Sequence, residues 1–222
     1  MKIITDNQYY QAIANAIRNK LSSSDTYLPS DMATMISQIP SGGGGGDISE
    51  YLSGEATSVS DGTVDFLRAY ALYNFYRMTS CSLTAVEQVG TKAFYGCTSL
   101  RDLDLPLAYS IAEDAFNNCR AITKMELPAL QTLKLSMFDG CENLQTLDLS
   151  AVTQIYGFLD SNVPLEYLVL RVSSVPVLAE TSPLGNLINT IYVTDSLVEN
   201  FRTATNWSAY ASKIQPVSDY IG

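Results

Sequence analysis

The sequence predicts a solenoid of short parallel β-strands joined by helical turns, with a small N-terminal α-helical module before it and a C-terminal helical cap after it. Cys97, Cys119 and Cys141 recur in steps of 22 residues, and Phe94, Phe116 and Phe138 recur in the same step. The apolar columns Leu100/Ile122/Leu144, Leu103/Met125/Leu147 and Leu105/Leu127/Leu149 keep that register. A period this strict marks units whose cores are incomplete alone and close only by stacking on their neighbours.

The columns run on in both directions. One step earlier stand Leu72, Met78, Cys81 and Leu83, and a further column reads Leu67, Val89, Ile111, Leu133, Ile155. Beyond Ile155 the register slips by one residue, to Leu165, Leu168 and Leu170; the aromatic lands near Phe158 and the cysteine is gone. Terminal units of a stack degenerate in this way because their outer face meets water.

Within a unit, the alternation around Leu103 and Leu105 places those two on one side of a short strand and Asp104 on the other. Pro106 and Pro128 end successive strands, and Ser150 replaces proline in the next. The stretch Ala93–Cys97 is too short for a full helix, so Phe94 and Cys97 face inward on one tight helical turn. Burial by one such unit does not offset the entropy of ordering it, so a single coil is not expected to fold alone.

The segment Gly90-Thr91-Lys92-Ala93-Phe94-Tyr95-Gly96-Cys97-Thr98-Ser99-Leu100, followed by Leu103, Leu105 and Pro106, resembles the BspA-type leucine-rich repeat. The resemblance covers roughly residues 60–216. It implies a leucine-rich-repeat solenoid and a role in adhesion, as in bacterial surface, protozoan and phage proteins of that family. The array is expected over residues 48–190 and the C-terminal cap over 191–222. In the cap, Ile191-Tyr192-Val193 reads as a last strand, and Thr194 or Asp195 as a helix cap. Leu197, Val198 and Phe201 form the apolar side of the helix that follows, and Trp207 reads as the lid over the last coil rather than a ligand platform.

Residues 1–40 read as two short helices. Thr5 and Gln8 suit a capping box, Tyr9, Ile13, Ile17 and Leu21 share one helical stripe, and Met32, Met35, Ile36 and Ile39 share another. So small a core needs a docking partner, which makes Tyr9, Ile13, Ile17, Met32, Met35 and Ile36 the expected anchoring or oligomerisation residues. The pattern also resembles a short module in structural proteins of phages of Gram-positive bacteria. Residues 41–47 contain Gly42–Gly46 and form a flexible linker; no Lys-Ser/Thr pair follows them, as a phosphate-cradling loop would require.

Lysine plus arginine total 13 and aspartate plus glutamate 23, a net charge of 13 − 23 = −10, with three of each sign in residues 1–40. The array therefore carries the imbalance, which argues against nucleic acid and anionic membrane as partners. Asp104, Glu126 and Asp148 occupy the outward position of successive strands and are expected to stack as an acidic column. Either they favour a cation or a basic partner, or they form a solvated face eased by Arg101 and Lys124. Tyr73, Tyr76 and Tyr95, with Tyr70 and Phe75, cluster on the first coils; Tyr73 and Tyr95 share a column, and exposed tyrosine suits sugar or protein recognition. Ordinary packing is the other reading of that cluster.

The chain has no histidine, so Ser-His and Cys-His nucleophile systems and histidine-containing metal sites are excluded. A carboxylate pair in the glycosidase manner needs a cleft that a regular solenoid does not offer. The repeated cysteines suit a small buried ladder position. No enzyme activity, cofactor or metal is expected. The N-terminus reads as neither signal peptide nor membrane span. This layout leads to the expectation of a non-enzymatic phage virion protein, in a tail, baseplate or capsid, assembled in the bacterial cytoplasm. Residues 1–40 would contact other virion proteins, and the array a host-surface polysaccharide or protein, in a possible homo-oligomer. The alternatives are a BspA-like adhesin on the bacterial surface and an intracellular protein-binding scaffold.

Overall fold

The computed structural model describes residues 57–62, 64–156, 163–179, 184 and 188–222. The two helices and the anchoring residues Tyr9, Ile13, Ile17, Met32, Met35 and Ile36 expected in 1–40, the linker 41–47, and Phe158 lie outside the described residues.

Long and short strands alternate along the chain: β1 (Ser58–Asp61), β2 (Phe66–Leu67), β3 (Ser80–Leu83), β4 (Gln88–Val89), β5 (Asp102–Asp104), β6 (Ser110–Ile111), β7 (Lys124–Leu127) and β8 (Thr132–Lys134). β9 (Thr146–Leu149), β10 (Gln154–Tyr156), β11 (Tyr167–Leu170), β12 (Val177–Leu178), β13 (Thr190–Val193) and β14 (Ile214–Pro216) complete the order. Each of the first six coils contributes one strand to a long-strand face and one to a short-strand face, β13 and β14 extend the long-strand face, and every pairing is parallel. The register pairs Met125 with Leu147 and Leu168 with Leu147, so the 22-residue step shortens to 21 where the sequence slips.

Between coils lies a single apolar core. Phe94, Phe116 and Phe138 are fully buried and stack at 5.3 Å and 6.1 Å between ring centroids. Beside them, the thiols of Cys97, Cys119 and Cys141 donate to the carbonyl oxygens of Leu72, Phe94 and Phe116, at 3.1–3.2 Å. The cysteine column thus supplies a small side chain that also satisfies a buried carbonyl of the coil before it. All four cysteines are free thiols. Burial pushes the Cys81, Cys119 and Cys141 thiols up, Cys141 to about 12.

The turns joining short to long strands are held by hydrogen bonds to the next coil, as in Leu72 N–H to Ala93 O and Phe94 N–H to Ala115 O. They are less helical than expected: among the described residues only the fourth coil forms a 3₁₀ helix here, Leu135–Phe138. The turns of the first three coils each require two left-handed residues. Tyr70, Lys92 and Asp114 occupy one such column; Asn74, Gly96, Asn118 and Gly140 occupy the other.

The hydrogen-bonded faces are also less continuous than a uniform repeat predicts. On the long-strand face, β1-β3-β5 and β7-β9-β11-β13-β14 are separate sheets; on the short-strand face, β2-β4-β6 and β8-β10-β12 are. The parting falls before the coil in which Leu135 and Met137 replace the smaller Thr91/Glu113 and Ala93/Ala115 of earlier coils. Leu103 beside it is half-buried, while its column mates Cys81, Met125 and Leu147 are buried.

After β13 the chain forms a 3₁₀ turn (Asp195–Leu197), the helix α1 (Val198–Thr203) and a second 3₁₀ segment (Ser208–Lys213), then returns to the sheet as β14. The expected side-chain capping by Thr194 or Asp195 does not occur. The Thr194 hydroxyl donates to Val172 O at 2.6 Å, and the Asp195 carboxylate accepts from Ser218 N–H at 3.1 Å, so both serve tertiary contacts. Trp207, 1% exposed, meets Phe201 edge-on at 4.9 Å and donates its indole N–H to Pro176 O at 2.8 Å.

Candidate binding surface

The turn side of the first coils carries the tyrosine cluster. Tyr73 and Tyr95 stand one coil apart with nearly parallel rings, 7° between planes and 5.0 Å between centroids, and Tyr70 leans on Tyr73 at 5.6 Å. Lys92 places its ammonium 5.5 Å from the Tyr95 ring centre. Tyr70 and Tyr76 are exposed, at 56% and 48%, while Tyr73 and Tyr95 are half-buried by their stacking. The left-handed backbone at Tyr70, Asn74 and Lys92 fixes the turn that holds these rings outward. The result is a rigid aromatic ledge that loses little side-chain entropy on contact.

On the long-strand face, the sequence-predicted acidic residues are brought onto one surface but not left as an uncompensated column. Asp104 lies beyond the parting of the sheet from Glu126 and Asp148, and accepts from the Ser82 hydroxyl at 2.9 Å. Glu126 is bridged by Lys124 at 3.1 Å. Asp148 is held by both carboxylate oxygens on Arg171 Nε, at 3.1–3.2 Å. Burial nevertheless keeps the Asp148 carboxyl above its ordinary range, with Arg171 only partly countering it. Glu126 and Asp148 are thus each met by a cation of the protein itself. Among the described residues no cluster of acids and cysteines could hold a metal ion.

Sequence reasoning missed the residues that complete this face. Tyr167, Tyr192 and Tyr220 form a triad with centroids 5.1–6.5 Å apart, and Lys124 and Arg171 each lie 5.9 Å from the Tyr220 ring. The outward position of Tyr192 follows from its place between Ile191 and Val193 on β13. Arg171 was findable as the basic residue just past β11, one coil after Asp148. Nothing in the repeat announces Tyr220, which belongs to the tail and folds back over the face.

Among the described residues no helix is long and apolar enough to cross a membrane. The sequence model of the BspA type leucine rich repeat region matches residues 65–178 in six copies. A leucine rich cell surface protein from Faecalibacterium prausnitzii is similar in structure, with a TM-score of 0.45 and 23% identity over 67% of this chain and 38% of that one. The pneumococcal vaccine antigen PcpA is similar with a TM-score of 0.44 and 16% identity over 72% of this chain and 40% of that one. The chain thus spans about two fifths of the length of these neighbours. No curated protein matches it in sequence.

Proposed function

This chain belongs to the BspA-type leucine-rich repeat family, and from that premise we propose that it is a non-enzymatic adhesive module displayed on a bacterial cell surface. The Tyr73–Tyr95 stack carries the reading. Two aromatic rings one coil apart, flanked by Tyr70, Tyr76 and Lys92, give a preformed ledge suited to a protein on an opposing cell. In the same proposal, residues 191–222 close the last coil against water, residues 48–190 form the array, and residues 1–40, joined through 41–47, attach it to its carrier. Attachment to a virion, the expectation drawn from the resemblance of residues 1–40 and the layout of the chain, gains no support from the comparisons.

The test is adhesion by the full-length chain. Labelled protein is incubated with washed bacteria and with epithelial cells, and bound fluorescence is compared for wild type, Tyr73→Ala, Tyr95→Ala and the double variant. The double variant is expected to lose roughly tenfold or more in affinity while keeping its melting transition. Undiminished binding would remove the ledge from the interaction. Antibody labelling of washed cells against purified phage particles locates the protein; signal confined to particles would return the assignment to the virion.

A further inference from the structure

The short-strand face carries a second surface with different chemistry. Its inward residues Leu67, Val89, Ile111, Leu133, Ile155 and Leu178 are buried, so the outward residues sit on a fixed platform. Across that platform runs an open groove of about 670 Å³ from Phe66 on the first coil to Tyr156 on the fifth. Phe66, Tyr109 and Tyr156 are 46%, 36% and 36% exposed. They lie on the first, third and fifth coils, successive ones two strand spacings or roughly 10 Å apart across the strands, with Tyr156 also displaced along the strands by three residues from Tyr109.

Polar groups fill the intervals. Gln88 donates its side-chain amide to the Tyr109 hydroxyl at 3.0 Å, which fixes that ring. Lys134 bonds Glu113 at 3.1 Å and lies 5.9 Å from the Tyr156 ring centre. Burial alone would lower the Lys134 ammonium, but Glu113 and Tyr156 outweigh it and keep the charge in place.

Charge decides the class of ligand. In a chain of net charge −10, the described residues lining this groove include no carboxylate, and Lys134 is the one charged residue among them. The groove on the long-strand face is lined by Asp102, Asp104 and Glu126 with Arg101 and Lys124. A polyanion would meet the repulsion of the whole molecule, and a polycation would find no carboxylate in the groove to meet it. A purely apolar ligand would strip water from Gln88, Ser110 and Thr132 without replacing their hydrogen bonds. A neutral, hydroxylated chain satisfies both: the C–H edges of its rings rest on the negative faces of the aromatics, and its hydroxyls meet the amides and hydroxyls between them.

We infer that this face binds an extended, uncharged β-linked polysaccharide, laid across the strands over Phe66, Tyr109 and Tyr156. The site is separate from the tyrosine ledge and does not depend on it.

Calorimetric titration of the full-length chain with cellobiose, cellohexaose and N-acetylchitohexaose tests the inference. A hexasaccharide is expected to bind at least about tenfold more tightly than cellobiose, because only the longer chain reaches successive aromatics. Phe66→Ala, Tyr109→Ala and Tyr156→Ala are each expected to weaken it roughly 2- to 10-fold, with an unchanged melting transition because these side chains are exposed. The Tyr73→Ala/Tyr95→Ala variant keeps hexasaccharide binding even where it loses cell adhesion, which separates the two readings. Binding of neither hexasaccharide, affinity independent of length, or full affinity in the triple aromatic variant would overturn the inference. So would capture of protein partners alone by this face.

Discussion

A Cβ added to Gly140 would stand 2.7 Å from Oδ1 of Asn118, one coil below, and the backbone at Gly140 is left-handed with φ +74°. Gly96 stands in the same relation to Asn74. The left-handed column therefore alternates asparagine and glycine: an asparagine amide occupies the space above, and only a residue without Cβ fits against it. Gly140→Ala is expected to lower unfolding free energy by roughly 1–3 kcal/mol, the sum of the left-handed penalty and the crowding. Adding Asn118→Gly should recover the crowding part and leave the backbone part. Urea unfolding of the two single variants and the double measures the coupling; a strictly additive pair would show that the amide and the glycine do not meet.

The hydrogen bond from the Cys119 thiol to Phe94 O, 3.1 Å long, predicts how stability responds to alkali. Burial raises the Cys81, Cys119 and Cys141 thiols above the ordinary value of 9.0, Cys141 to about 12. Above pH 9 the unfolded chain releases these protons while the folded chain holds them, so unfolding is favoured. Stability is fully present below pH 9 and declines as pH rises towards 12, by about 1.4 kcal/mol per unit for each such thiol. Cys119→Ala should flatten that decline while costing stability at pH 7. Denaturant midpoints from pH 7 to 11 check both, and a flat wild-type profile would contradict them.

The repeat, its register and the slip after Ile155 were legible in the sequence because each buried column requires the same kind of side chain in every coil. What was not legible is what breaks that uniformity. The parting of both faces accompanies Leu135 and Met137, which still read as apolar residues in a repeat. The acidic column could be read as a stack, but Arg171 neutralises part of it from a neighbouring coil while Tyr220 of the tail sets its ring beside Arg171 and Lys124, contacts that a period of 22 does not encode. The tyrosine ledge was visible because Tyr73 and Tyr95 share a column. The Phe66, Tyr109 and Tyr156 series was not, because its members sit at different offsets within their units.

Arg171 holds a carboxylate that burial already disfavours, so its removal has a defined consequence. In Arg171→Gln, Asp148 keeps its half-buried position beside Glu126 but loses its hydrogen-bonded counter-ion. Because the Arg171 side chain is 45% exposed, solvent screens the loss, and a destabilisation of about 1 kcal/mol at pH 7 is expected. The sign with pH follows from the raised Asp148 carboxyl: protonation relieves the unpaired charge, so the difference from wild type should shrink as pH falls below 5. Urea midpoints at pH 4 and pH 7 test this; a penalty that grows towards pH 4 would contradict it.

Trp207 joins the last helical segments to the sixth coil through two contacts of different kinds. Its ring packs edge-on against Phe201, and its N–H satisfies Pro176 O, while Asn206 beside it donates to Leu178 O at 2.7 Å. Trp207→Phe keeps most of the packing but leaves the Pro176 carbonyl without this donor, a cost of roughly 1–3 kcal/mol. Trp207→Ala removes both and is expected to cost about 3–5 kcal/mol. In a stack where each coil leans on its neighbours, that loss exceeds what a terminal coil can absorb, so the end should fray before the rest unfolds. Circular dichroism should then give a smaller m-value for Trp207→Ala than for wild type, with an early, shallow phase. In wild type, fluorescence of this sole tryptophan and circular dichroism should report one transition. A steep single transition in Trp207→Ala, at the wild-type midpoint, would show that the array does not depend on the segment for closure.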